Sequence, residues 1–129
     1  MSPDIEERKS TVLIVEDDES NFLLLKLHIL ELNDNIKILH ALDGDIGVEM
    51  VKEHPEIDLV LMDINMPVMD GHEATKLISE IRPHLPIVYQ TAYTFEDNFL
   101  EAATSGGSNF ITKPIDIDTL SLVLSRYLT

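Results

Sequence analysis

The sequence predicts an α/β fold, a parallel sheet with helices on both faces, on three observations. Short β-branched runs alternate five times with stretches of helical length. Glycine and proline mark the joins, at Gly44, His54-Pro55, Pro83, Pro86, Gly106-Gly107 and Lys113-Pro114. The 129 residues, 44% of them apolar, suffice for one domain with a substantial core but not for two.

Residues 1–10 are charged and read as a lead-in or linker remnant, which leaves 11–129 as the domain. The five strand candidates are Thr11–Val15, Ile36–Ala41, Ile57–Met62, Pro86–Thr91 and Ser108–Thr112. Each is short, apolar and bounded by turn residues, as a strand buried on both faces requires. The first helical stretch, "NFLLLKLHILEL", is apolar around most of its circumference and predicts a largely buried helix. Asp43 to His54 forms a weaker helical pattern. Ala74, Leu77, Ile78 and Ile81 fall at i, i+3, i+4 and i+7, and so do Leu120, Val123, Leu124 and Tyr127. Phe95, Phe99, Ala102 and Ala103 make a third, weaker stripe, though a stronger one than Asp43 to His54.

Strands alternating with helices imply right-handed crossovers onto one parallel sheet. The common arrangement at this size is a five-stranded parallel sheet of order 2-1-3-4-5, a flavodoxin-like (βα)5 three-layer sandwich. It opens a ligand crevice at the carboxyl ends of strands one and three. Strand one runs into Glu16, Asp17 and Asp18, and strand three runs into Asp63. Two unit charges 4 Å apart repel by about 4 kcal/mol at an effective dielectric near 20. Acids converging on one crevice therefore call for a cation. An oxygen-only donor set favours a hard one, Mg²⁺ before Ca²⁺. Strand four ends on Thr91 and strand five on Lys113, a hydroxyl and an ammonium suited to phosphoryl oxygens.

Charge and composition narrow the classes further. Acidic residues number 24 and basic ones 9, a formal charge of −15 that disfavours direct nucleic-acid or anionic-membrane binding. The absence of cysteine removes disulfide, thiolate and zinc-thiolate chemistry. No apolar stretch approaches the ~20 residues of a membrane span. A cytoplasmic location is the expectation.

With the quoted stretches "VLIVEDDESN", "LVLMDINMPVMDG", "VYQTAY" and "NFITKPI" in this order, the chain resembles the receiver domain of two-component response regulators from Ser10 to Thr129. The resemblance implies a phosphorelay role, not that of an enzyme in its own right. Asp63 is then the phosphoacceptor, taking a phosphoryl group from a histidine kinase or histidine phosphotransfer domain. Glu16 and Asp17 form the acidic pair behind Mg²⁺ (or Mn²⁺), Glu16 directly or through water, and Asn65 gives the metal a backbone carbonyl. Thr91 and Lys113 bind the phosphoryl oxygens. Phe110 takes the switch-aromatic position and, with Thr91, couples the phosphoryl group to a protein-interaction face. Asn65 and Tyr93 flank the phosphate and tune its lifetime. The Lys113-Pro114 bond is a candidate for a cis peptide.

The remaining features have plainer readings. Asp18 caps the first helix, and Asp70-Gly71 closes a loop and starts the third. The histidines (His28, His40, His54, His72, His84) match no metal spacing and suit solvent or helix-surface positions. Met62, Met66 and Met69 read as packing. Three rivals remain: an unphosphorylated pseudo-receiver that only docks, a flavodoxin-like cofactor binder, and an aspartyl-nucleophile phosphatase. The acids, Thr91 and Lys113 argue against the first. "EDDES" would repel a cofactor phosphate, and "DIN" has an amide where the phosphatase class has a second carboxylate. A stand-alone regulator or a receiver cut from a larger protein such as a hybrid histidine kinase both fit the length, and the lead-in favours the latter. The output partner and homodimerisation have no motif.

Overall fold

A computed structural model describes residues 9–64, 71–91, 109–112 and 116–128. Five strands, β1 (Thr11–Val15), β2 (Lys37–Ala41), β3 (Ile57–Asp63), β4 (Ile87–Thr91) and β5 (Asn109–Thr112), form one sheet of order β2-β1-β3-β4-β5. Every neighbouring pair is parallel, as the alternation predicts. The described helices are α1 (Glu19–Leu32), α2 (Gly44–Glu53), α3 (Gly71–Ile81) and α4 (Ile117–Tyr127). The stripe from Phe95 to Ala103 lies outside the described residues, as do Met66, Met69, Asp70 and Pro114.

Alternation along the strands sorts the core into two layers. Leu13, Val15, Val60, Met62, Ile87 and Tyr89 meet α2 and α3 on one face. Val12, Ile14, Leu59, Leu61, Val88 and Ile111 meet α1 and α4 on the other. β1 lies between two strands and under both helix layers, which is why all five of its residues are buried and none but Thr11 is polar. The register between β1 and β3 slips once, at Thr11/Val12. There the Thr11 N–H donates to Asp58 Oδ2 at 2.9 Å, a side-chain substitute for a ladder bond.

The helix starts follow their capping residues. Asp18 accepts from the amides of Ser20 and Asn21, Asp43 from that of Ile46, and Asp116 from that of Thr119. The amide of Thr119 holds the Asp116 carboxyl below the ordinary carboxylate range. A depressed pKa makes the cap stabilising above the unfolded value of about 3.9, and the benefit disappears as pH falls through the lower folded value. Asp116→Ala should therefore lower the denaturation midpoint at neutral pH, with the difference from the parent shrinking to nothing in strong acid.

The first helix departs from expectation. Only Leu25 and Ile29 of α1 are buried, whereas Leu23, Leu24, Leu27 and Leu32 are 38–64% exposed. A helix lying on one sheet face buries one stripe, whatever the composition of its other sides.

Candidate functional site

Glu16 follows the last residue of β1, and its N–H continues the ladder by donating to Ala41 O at 3.0 Å. Asp63 closes β3, and the next residue, Ile64, donates its N–H to Gln90 O at 3.2 Å. Strand alternation puts the Glu16 and Asp63 side chains on the α1/α4 face, in line with Ile14 and Leu61. There the carboxylates of Glu16, Asp17 and Asp63 converge, their oxygens within 4.8 Å of one another. Glu16 is fully buried, Asp63 is 2% exposed and Asp17 faces solvent.

At that spacing each pair of charges repels by about 3–4 kcal/mol for an effective dielectric near 20. Buried charges persist when they are paired or hold a metal. The donor set, three carboxylates and no sulfur or imidazole, suits a hard divalent cation.

The surroundings of Glu16 say how it would take part. Its Oε2 accepts from the Asp18 N–H at 3.2 Å, and its Oε1 accepts from Asn21 Nδ2 one turn into α1. Both oxygens thus accept from the chain's own N–H donors, which suits Glu16 to a place at one remove from a cation. The Glu16 carbonyl is also held, by His40 Nε2 at 2.8 Å. A carbonyl can only accept, so Nε2 carries the proton. The His40 ring stacks on Phe22 of α1, centroids 3.7 Å apart and planes within 2°.

Asn21 therefore positions a buried acid beside the metal-ligand candidates. Loss of such a supporting hydrogen bond weakens metal affinity by about 10–100-fold. Asn21→Ala should lower Mg²⁺ affinity by about tenfold on that scale, measured by titration followed through thermal stability.

Of the site residues expected from sequence, the structure gathers Glu16, Asp17 and Asp63. Thr91 ends β4, one residue past Gln90, the register partner of Asp63, and its backbone pairs with Thr112. Phe110 of β5 is the register partner of Tyr89 of β4. The side chains of Thr91 and Phe110 are outside the described atoms, and Asn65, Tyr93 and Lys113 are outside the described residues. Asp18 caps α1 as expected. His40 corrects the solvent or helix-surface reading, since it lies on β2 and holds the Glu16 backbone, while His72, half-buried on α3, meets Tyr89 edge-on with centroids 5.0 Å apart. Asn21 was also missed. The signal for it was an amide placed one turn after the acidic run, within reach of the strand end.

Comparison with known proteins now gives the arrangement its relatives. Residues 12–125 match the family described as the response regulator receiver domain. A two-component response regulator from Oryza sativa subsp. japonica is 32% identical over 117 residues, 90% of this chain and 92% of that protein. The transcriptional regulatory protein ZraR of Klebsiella oxytoca is 38% identical over 91% of this chain, which spans only 26% of that regulator's length. A hybrid signal transduction histidine kinase of Dictyostelium discoideum is 35% identical over 90% of this chain and 3% of its own length. Among solved structures, the CheX-CheY-BeF3-Mg²⁺ complex of Borrelia burgdorferi superposes with a TM-score of 0.83 at 30% identity, covering 93% of this chain and 90% of that one. The chemotaxis protein CheY4 of Vibrio cholerae gives 0.86 at 25% identity, covering 94% and 100%.

Proposed function

The chain belongs to the response regulator receiver domain family, and from that premise we propose that it accepts a phosphoryl group on Asp63 from a phosphohistidine donor. The observation that carries the reading is a buried Asp63 at the end of β3 with Glu16 and Asp17 oxygens within 4.8 Å. An Asp63 carboxylate oxygen attacks phosphorus in line. The P–N bond to the donor histidine breaks, its electron pair leaves with the imidazole, and solvent supplies the imidazole proton.

Asp17 and Asp63 would hold Mg²⁺, or Mn²⁺ in its place, with Glu16 at one remove and the Asn65 carbonyl completing the protein's share. The cation supplies positive charge for the phosphoryl oxygens. Positioning does the rest: β1 and β3 fix the acids, and the Asn21 and Asp18 donors keep Glu16 from turning away. Thr91 donates to one phosphoryl oxygen and Lys113 neutralises another. Movement of Thr91 toward the phosphate gives Phe110 room to turn, which alters the surface beside β5. Tyr93 and Asn65 limit water access and so set the acyl-phosphate lifetime.

Among the described residues no helix is long and apolar enough to cross a membrane. The cytoplasmic location is part of this proposal. The donor would be a histidine kinase or a histidine phosphotransfer domain. The chain spans about a quarter of the ZraR regulator and a few per cent of the hybrid kinase. Incubation with acetyl phosphate and Mg²⁺ tests the assignment: one alkali-labile phosphoryl group mapping to Asp63 supports it, and an unmodified protein overturns it.

A further inference from the structure

Gln90 is fully buried, and neither its Oε1 nor its Nε2 has a hydrogen-bond partner among the described residues. It is the parallel register partner of Asp63 on the adjoining strand. Alternation sets its side chain on the same face as Asp63, because Val88 packs toward α1 and α4 while Tyr89 packs the other way. Neighbouring strands run about 4.8 Å apart, so Gln90 and Asp63 leave adjoining backbone positions on one face of the sheet. A buried amide without partners is a standing cost to the fold. An apolar residue of similar length would fill the space without that cost.

We propose that Gln90 is a positioning residue for the phosphorylated state, its Nε2 donating to the Asp63 acyl phosphate. The proposal rests on the reading of Asp63 as phosphoacceptor. An added phosphoryl group brings acceptor oxygens and negative charge to Asp63, the register neighbour of Gln90. The amide is then unpaired before phosphorylation and satisfied after it. Part of the fold's local cost is relieved only when the phosphoryl group is present, which favours uptake and slows loss.

The test uses beryllofluoride with Mg²⁺ as a phosphoryl mimic on the parent, Gln90→Met and Asp63→Asn proteins. Gln90→Met should bind the mimic about tenfold more weakly, the worth of one charge-assisted hydrogen bond, with its melting temperature in the absence of mimic unchanged or raised. In the parent, the Gln90 side-chain NH₂ resonances should shift and become protected from exchange when the mimic binds. They are assigned by selective labelling, so this readout does not require the variant to fold. Equal affinity in Gln90→Met, or unmoved Gln90 resonances in a parent that has bound the mimic, overturns the role of Gln90 alone. A parent that fails to bind the mimic overturns the Asp63 reading and the Gln90 role with it.

Discussion

Phosphoryl uptake should fall to background when Asp63 is replaced by asparagine, while the protein itself becomes more stable in the absence of metal. The two effects have separate causes. The amide has almost the volume of the carboxylate, so the end of β3 and its pairing with Gln90 keep their geometry. What goes is the nucleophilic oxygen, and with it any route to an acyl phosphate. The variant also carries one charge fewer in a cluster whose oxygens lie within 4.8 Å. Each pair repulsion is about 3–4 kcal/mol at an effective dielectric near 20; less the solvent screening at Asp17 and the interactions Asp63 itself makes, the metal-free protein should gain about 2 kcal/mol. Magnesium should reverse the ranking. A cation at a hundred times its dissociation constant stabilises the parent by about 2.7 kcal/mol, and should stabilise Asp63→Asn far less. Denaturation of both proteins with EDTA and with excess Mg²⁺ measures the crossover. A variant that gained as much from Mg²⁺ as the parent would remove Asp63 from the metal-binding set.

The parts of this structure that sequence could foretell are those governed by short-range pattern. Apolar runs five or six residues long, separated by amphipathic stretches, leave few topologies besides a doubly wound parallel sheet. Its edge logic brings Glu16, Asp17 and Asp63 to one crevice, where the structure has them. Asp18 was readable as a cap because the cap is local, an aspartate immediately before the helical run. Misreadings came where the deciding partner lies far along the chain. The leucines of α1 suggested burial, yet whether a helix is covered on one side or two depends on the packing of other elements. His40 reads from sequence as a solvent or helix-surface residue because its partners, the Glu16 carbonyl just past β1 and the Phe22 ring of α1, come from elsewhere in the chain. Gln90 drew no notice within "PIVYQT", since only the register against β3 sets it beside Asp63.

Gly71 shows the same division between place and reason. The Asp70-Gly71 pair was read as loop closure and helix start, and α3 does begin at Gly71. Its requirement for glycine is one of space. A Cβ at position 71 would lie 2.4 Å from Asp63 O, 2.7 Å from Ile64 Cα and 3.0 Å from Asp63 C. All three are backbone atoms of the strand end that carries the candidate phosphoacceptor, so none can swing aside as a side chain can. The Gly71 N–H fixes the approach by donating to Ile64 O at 3.0 Å. Gly71→Ala should therefore cost about 2–3 kcal/mol, near the upper end for overpacking, despite the better helix propensity of alanine. For a chain of this length that is a fall of about 6–15 °C in Tm. Part of the strain should appear at the site as displacement of the Asp63 peptide, with weaker Mg²⁺ binding and slower phosphoryl uptake. Gly47→Ala is the matched comparison. A Cβ there would meet Val15 Cγ2 at 3.0 Å, Val15 Cγ1 at 3.4 Å and Ala41 Cβ at 3.8 Å, all side-chain atoms. Val15 can yield by a few tenths of an ångström, so that variant should lose less than about 1 kcal/mol and keep its Mg²⁺ affinity. Thermal denaturation and Mg²⁺ titration of the pair distinguish a crowded helix from a crowded phosphoacceptor. Equal losses in both variants would mean that the Asp63 backbone is not what position 71 protects.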